Sequence, residues 1–226
     1  MPVLQWVFWV VGALLQALVL TSLARGPFRQ YPFLTLYTLF LFLATVVEAA
    51  SLVDAGFLSP TAQRYFWIDD SIKRFLLFCI VFGFINRSLK GSPSRTMVRR
   101  WLILGALLVT AISFLIHHRL NVGFMMTNVG RDLSFYAAIL NLVLWSLLIR
   151  SHARDRQLLA VTGGLGIQFT AEAIGHSLRH LSRSTLALGN IVLVTGHLVC
   201  LYFWWQAFRQ KAPGPAASPV RDAARR

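Results

Sequence analysis

The chain has 226 residues, of which 56% are hydrophobic and only 13% charged, and its mean hydropathy is +0.61. An ordinary soluble domain carries about 25% charged residues, so this balance excludes one and fits a helical membrane protein. The formal net charge of +14 invites a nucleic-acid reading. The basic residues, however, fall in short stretches between apolar runs, where they meet anionic lipid head groups, and no groove-reading motif accompanies them.

Apolar runs bounded by charges or turn residues predict seven spans, at 3–23, 32–53, 65–86, 98–117, 130–150, 157–179 and 185–208. The first has no Lys or Arg before it and no small-residue cleavage site, so it is expected to be a retained helix rather than a signal peptide. The second carries Glu48 about sixteen residues into its length.

The third span is the most informative. Only Phe75 to Asn86 separate Lys73-Arg74 from Arg87. At about 1.5 Å per residue they cover roughly 18 Å of a hydrocarbon core roughly 30 Å thick. A helix that crosses here must take Asp69, Asp70, Lys73 and Arg74 in with it. Ionisable side chains at that depth cost about 2.5 to 3.5 kcal/mol each, so they face a protein interior or a wet cavity and mark candidate sites. Asp69 and Lys73, and Asp70 and Arg74, are each four apart with the acid first, the favourable order for pairs along one helix. A structural pair of salt bridges and a functional pocket both fit that spacing. Cys79 in this span and Cys200 in the seventh are expected to be buried thiols without a disulfide.

The fourth span ends at His117-His118, and the fifth opens with Arg131-Asp132, followed by Ser134, Tyr136 and Asn141. In the sixth, Gln168, Glu172, His176 and His180 recur at every fourth position and form one stripe. Upstream of it, Gly163, Gly164 and Gly166 allow close approach of a neighbouring helix. The seventh carries Asn190 and His197. Residues 211–226, KAPGPAASPVRDAARR, have no apolar face and are expected to form a disordered basic tail beyond a seven-helix domain of residues 1–210.

With the amino terminus outside, 15 of the 22 Lys and Arg residues fall on the cytoplasmic side, as the positive-inside rule requires, and the carboxyl terminus is cytoplasmic. The expected partners are then the anionic inner leaflet and a protein bound at the cytoplasmic loops, with no nucleic acid. Those loops are too short to house an enzymatic domain. Six of the eight acidic residues come to the outer half. The expected pocket is therefore charged, opens outward, and is built from Glu48, Asp69, Asp70, Lys73, Arg74, Arg131, Asp132, Gln168, Glu172 and His197. It would serve a small-ligand or ion-sensing module or a subunit of a membrane complex, with no cofactor required.

Two alternatives share these residues. Glu172, His176 and His180 offer ligands to a divalent metal such as Zn²⁺, with His117 or His118 as a further donor and Asp69, Asp70 or Glu48 as base to a bound water, which describes an intramembrane hydrolase. His176 and His197 are the best histidine pair for a haem-binding cytochrome but lie about two turns apart in depth. A standard retinal protein is excluded because Thr185 to Phe208 contains no lysine.

Three features occur together: the short third span opening at Tyr65-Phe66-Trp67, the Arg131-Asp132-Leu133-Ser134-Phe135 start of the fifth, and the Trp204-Trp205 end of the seventh. In these the chain resembles uncharacterised bacterial seven-helix integral membrane proteins of acidobacterial type. The resemblance implies an all-α, polytopic seven-helix bundle in the bacterial inner (cytoplasmic) membrane, and it implies no activity.

Overall fold

The computed structural model describes residues 2–54, 60–89, 95–119, 122–150, 156–182 and 184–209, and within them the side chains of all but 2–5, 51–54, 60–67, 122, 124, 150 and 180. The expected tail at 211–226 lies outside the described residues. Among the described residues there are seven α-helices and no strand: α1 Pro2–Ala24, α2 Pro32–Asp54, α3 Pro60–Ser88, α4 Arg95–His117, α5 Val122–Arg150, α6 Arg156–Leu181 and α7 Leu186–Arg209. Helices α1, α2 and α3 each begin on a proline, whose missing N–H costs nothing in a first turn and whose φ suits a helix.

All except α3 contain a stretch long and apolar enough to cross a membrane, which fits a multi-pass membrane protein. Helix α3 is interrupted by Asp69, Asp70, Lys73 and Arg74, yet its 29 residues reach about 43 Å. It starts at Pro60 and α5 at Val122, both earlier than the spans read from hydropathy, because α3 continues through the polar PTAQR and α5 through VGFMMTNV.

Six helices close into a ring in which α1 packs on α2 and α7, α2 on α3, α3 on α5, α5 on α6, and α6 on α7. Helix α4 stands outside, held to α5, and Ser113 is its one buried residue among those described. The Tyr136 hydroxyl donates to the Leu102 carbonyl at 3.1 Å, and Ser113 Oγ donates to Asp132 Oδ2 at 2.7 Å.

The tightest pairing joins α6 and α7. A methyl group on Gly175 would stand 2.9 Å from the Gly189 carbonyl oxygen, and one on Gly189 would stand 2.7 Å from that of Gly175. Farther along, Gly164 lies against the Trp204 indole and the Cys200 carbonyl, and Gly196 against Ala171. With no water to expel, helices in a bilayer associate through such close packing, which only small residues permit. Gly166 similarly admits the Asn141 side chain, whose Nδ2 donates to the Thr162 carbonyl at 3.1 Å and ties α5 to α6.

The apolar core fills the half of the ring nearest the ends of α1, α3 and α7. Trp204, fully buried, donates from Nε1 to the Val161 carbonyl at 3.0 Å and meets Tyr37 edge to face at 5.8 Å. Tyr31 packs on Phe84 and Phe208. At that same end the Arg87 guanidinium lies 5.0 Å over the Tyr31 ring and Arg209 lies 5.0 Å over Trp205. The opposite half is not filled by apolar side chains.

Candidate functional site

The unfilled half holds a cavity of about 690 Å³ bounded by α1, α2, α3, α6 and α7. Its polar side begins on α3, where Asp69 and Asp70 are neighbours about 100° apart around the helix and so serve different partners. Asp69 is 5% exposed and turns toward α2, with Lys73 Nζ 2.5 Å from its Oδ2 and 3.4 Å from Glu48 Oε1. One ammonium thus serves two carboxylates, and Asp69 Oδ1 has no partner among the described residues. Asp70 is half-exposed and accepts from Arg74 Nε at 2.9 Å.

Arg74 continues toward α6, where Nη2 lies 3.2 Å from His176 Nε2. A guanidinium can only donate, so Nε2 must accept, which a neutral imidazole permits. One helical turn earlier Glu172 is held through both oxygens. Ser134 Oγ on α5 donates to Oε2 at 2.8 Å, and Gln168 Nε2 donates to Oε1 at 3.1 Å. The second Gln168 N–H reaches the Tyr37 hydroxyl on α2 at 3.2 Å. About one turn after His176, Arg179 Nε donates to Asn190 Oδ1 on α7 at 2.7 Å. His197 lines the cavity from α7, and Gln16, buried on α1 with an Oε1 that lacks a partner among the described residues, lines it opposite. Phe8, Trp9 and Gly12 of α1 with Ile191, Val194 and Leu198 of α7 make the remaining wall apolar.

Of the residues expected in a pocket, Glu48, Asp70, Lys73, Arg74, Gln168, Glu172 and His197 line this cavity, Asp69 stands behind Lys73, and His176, expected as a metal ligand, lines it too. Arg131 and Asp132 do not line it. Asp132 Oδ1 lies 3.2 Å from Arg131, its Oδ2 takes the Ser113 hydroxyl, and His117 Nδ1 is 3.8 Å away, so this cluster fastens α4 to α5. Ser134, two residues after Asp132, points to Glu172 because two residues turn a helix by about 200°.

Tyr37 and Gln16 belong to the cavity and were not assigned to it from sequence. Gln16 carried a usable signal, being a lone amide within the otherwise apolar middle of α1. The Tyr37 partnership depends on how α2 is rotated, which no periodicity encodes.

Among the described residues no three His, Cys, Asp or Glu side chains gather as a metal site, and the His180 side chain lies outside the described residues. His176 already faces a guanidinium and both Glu172 oxygens are taken, so an ion between these two would have to displace Arg74. Around the cavity stand four carboxyl groups, Glu48, Asp69, Asp70 and Glu172, against Lys73, Arg74 and Arg179. That near balance suits a zwitterionic or singly charged ligand rather than a highly charged one. No family model, curated protein or solved structure matches this chain.

Proposed function

We propose that the protein binds a small amphiphilic ligand in this cavity and acts as a sensing module or as a subunit of a membrane complex. The observation that carries the reading is the composition of the walls: ion pairs and amides from α2, α3, α6 and α7 face apolar side chains of α1 and α7 across one space. At about 690 Å³ it lies within the range of roughly 300 to 1,000 Å³ common for small-molecule sites. A ligand with a polar or zwitterionic head and a short apolar body matches both walls.

In our reading the protein sits in the bacterial cytoplasmic membrane with the amino terminus and the cavity outside. The far end carries Arg25, Arg29, Arg87, Arg95, Arg99, Arg100, Arg156 and Arg209, which supports that end as cytoplasmic. Any signal would leave through a protein partner there. A metal-dependent hydrolase has less support, since Glu172 and His176 are committed to Ser134, Gln168 and Arg74.

The test uses a cavity-filling variant. A methyl group on Gly12 would meet only Leu198 Cδ2, at 3.7 Å, so Gly12→Phe places its ring in the cavity with little disturbance of the backbone. Detergent-solubilised protein is screened by thermal unfolding against betaines, amino acids, short-chain carboxylates and small phosphate esters. The expected result is stabilisation by one of these classes, about 2.7 kcal/mol at a hundredfold excess over Kd, and its loss in Gly12→Phe with the ligand-free midpoint kept. Stabilisation that survives in Gly12→Phe would overturn the assignment, as would the absence of any stabilising class.

A further inference from the structure

A second space, of about 480 Å³, lies between α3, α4 and α5, on the other side of Asp70 and Arg74 from the polar cavity. Its character is different. Phe75, Phe78 and Phe82 of α3 face Ile103, Leu107 and Phe114 of α4 across it. The one hydroxyl on its α4 side, Thr110, already donates to the Ala106 carbonyl at 2.7 Å. A stable internal water needs two to four polar partners, and along most of this slot there are none to supply them. In a bilayer the filling must then be hydrocarbon.

We propose that the slot holds one acyl chain of a phospholipid from the outer leaflet, with the lipid phosphate at the slot's outer end beside Arg119. Three further observations favour this occupant over a protein helix or a soluble ligand. The slot opens where α4, the least buried helix, stands away from α3 while remaining fastened to α5 through Tyr136 and Ser113. A space of about 480 Å³ is too small for a helix about 10 Å across running its length, whereas a single acyl chain is not. The α4 wall from Ile103 to Phe114 runs about 17 Å, close to the roughly 15 Å of one leaflet's hydrocarbon. The mouth at Phe114 and Met126 adjoins the end of α4, where Arg119 is exposed and Arg131 is part-exposed. The two carboxylates nearest it, Asp132 and Asp70, are already engaged, the first by Arg131 and Ser113 and the second by Arg74, so with Arg119 the mouth presents net positive charge to a phosphate.

The experiment reconstitutes the full chain in vesicles containing phosphatidylglycerol with a photoreactive diazirine at mid-chain, irradiates them, and maps adducts by peptide mass spectrometry. The expected adducts concentrate on Phe75, Phe78, Ile103 and Leu107. They exceed several-fold those on Leu108 and Leu115, which are exposed on α4 but do not line the slot. Ala106→Trp fills the slot from α4 and abolishes the slot adducts while leaving those on Leu108 and Leu115. Should that variant not fold, Cys79→Phe blocks the slot from α3 with the same expected loss. Arg119→Gln lowers slot labelling several-fold. Labelling spread evenly over the lipid-facing surface, or slot labelling indifferent to both filling variants, would overturn the site. Slot labelling indifferent to Arg119→Gln would overturn the placement of the phosphate.

Discussion

Lys73→Met is expected to destabilise the protein by about 3 to 5 kcal/mol, the usual cost of removing one partner from a buried ion pair. The size follows from the arrangement on α3: Lys73 Nζ reaches Asp69 at 2.5 Å and Glu48 at 3.4 Å, with Asp69 only 5% exposed. Methionine keeps the length of the side chain and removes the charge, so two carboxylates remain side by side without a counter-ion. The thermal midpoint in detergent should fall accordingly. Replacing the whole group, with Glu48→Gln and Asp69→Asn added to Lys73→Met, should recover most of the loss, because neutral amides need no counter-charge. Asp70→Ala provides the contrast. Its carboxylate is 54% exposed although the Arg74 guanidinium it serves is 13% exposed, so the loss should be smaller than for Lys73→Met. An unchanged midpoint for Lys73→Met would mean that water entering the cavity solvates both carboxylates.

Gly175→Leu is expected to be more damaging still. Its first side-chain carbon would stand 2.9 Å from the Gly189 carbonyl oxygen and closer yet to Leu193, so α6 and α7 would have to part. Overpacking generally costs about 1 to 3 kcal/mol, and a contact against backbone belongs at or above the top of that range because a carbonyl cannot rotate away. The expected readout is loss of the monodisperse peak in size-exclusion chromatography and a lowered midpoint. Gly163→Ala is the matched control. There a methyl group meets Trp145 at 3.5 Å, an ordinary contact, and the variant should behave as the parent. A well-behaved Gly175→Leu protein would show that the two helices are not in register as described.

Much of the bundle could be read from sequence because a long apolar run in lipid has one way to satisfy its polar backbone N–H and C=O groups within itself, an α-helix. The charged turn of the third helix was singled out by arithmetic, since the twelve residues from Phe75 to Asn86 are too few to cross a bilayer, and its Asp70, Lys73 and Arg74 do line the cavity with Asp69 behind Lys73. The stripe on α6 was legible through its spacing, since Gln168, Glu172 and His176 lie one turn apart and do share a face. Azimuth was not legible. Asp132 lies at a depth comparable to the cavity but faces α4, while Ser134 from the same helix turns inward. Depth follows from counting residues along a helix, whereas rotation follows from which neighbours pack on it, and that is a property of the assembled ring. The same limit hid Tyr37 as the partner of Gln168 across 131 positions of chain.

The glycine contacts between α6 and α7 also decide which parts can move. Two backbones locked carbonyl to Cα along their length behave as a single plank, so any breathing of the ring around an occupant falls to α1, α2 and α3. Helix α3 reaches the opposite end at Arg87, which donates to the Gln30 carbonyl at 3.4 Å and covers the Tyr31 ring, both in the connection between α1 and α2. A shear of α3 would thus tug directly on that elbow. Hydrogen exchange should accordingly run faster in α1–α3 than in the α6–α7 plank, and uniform exchange across all five helices would contradict this division.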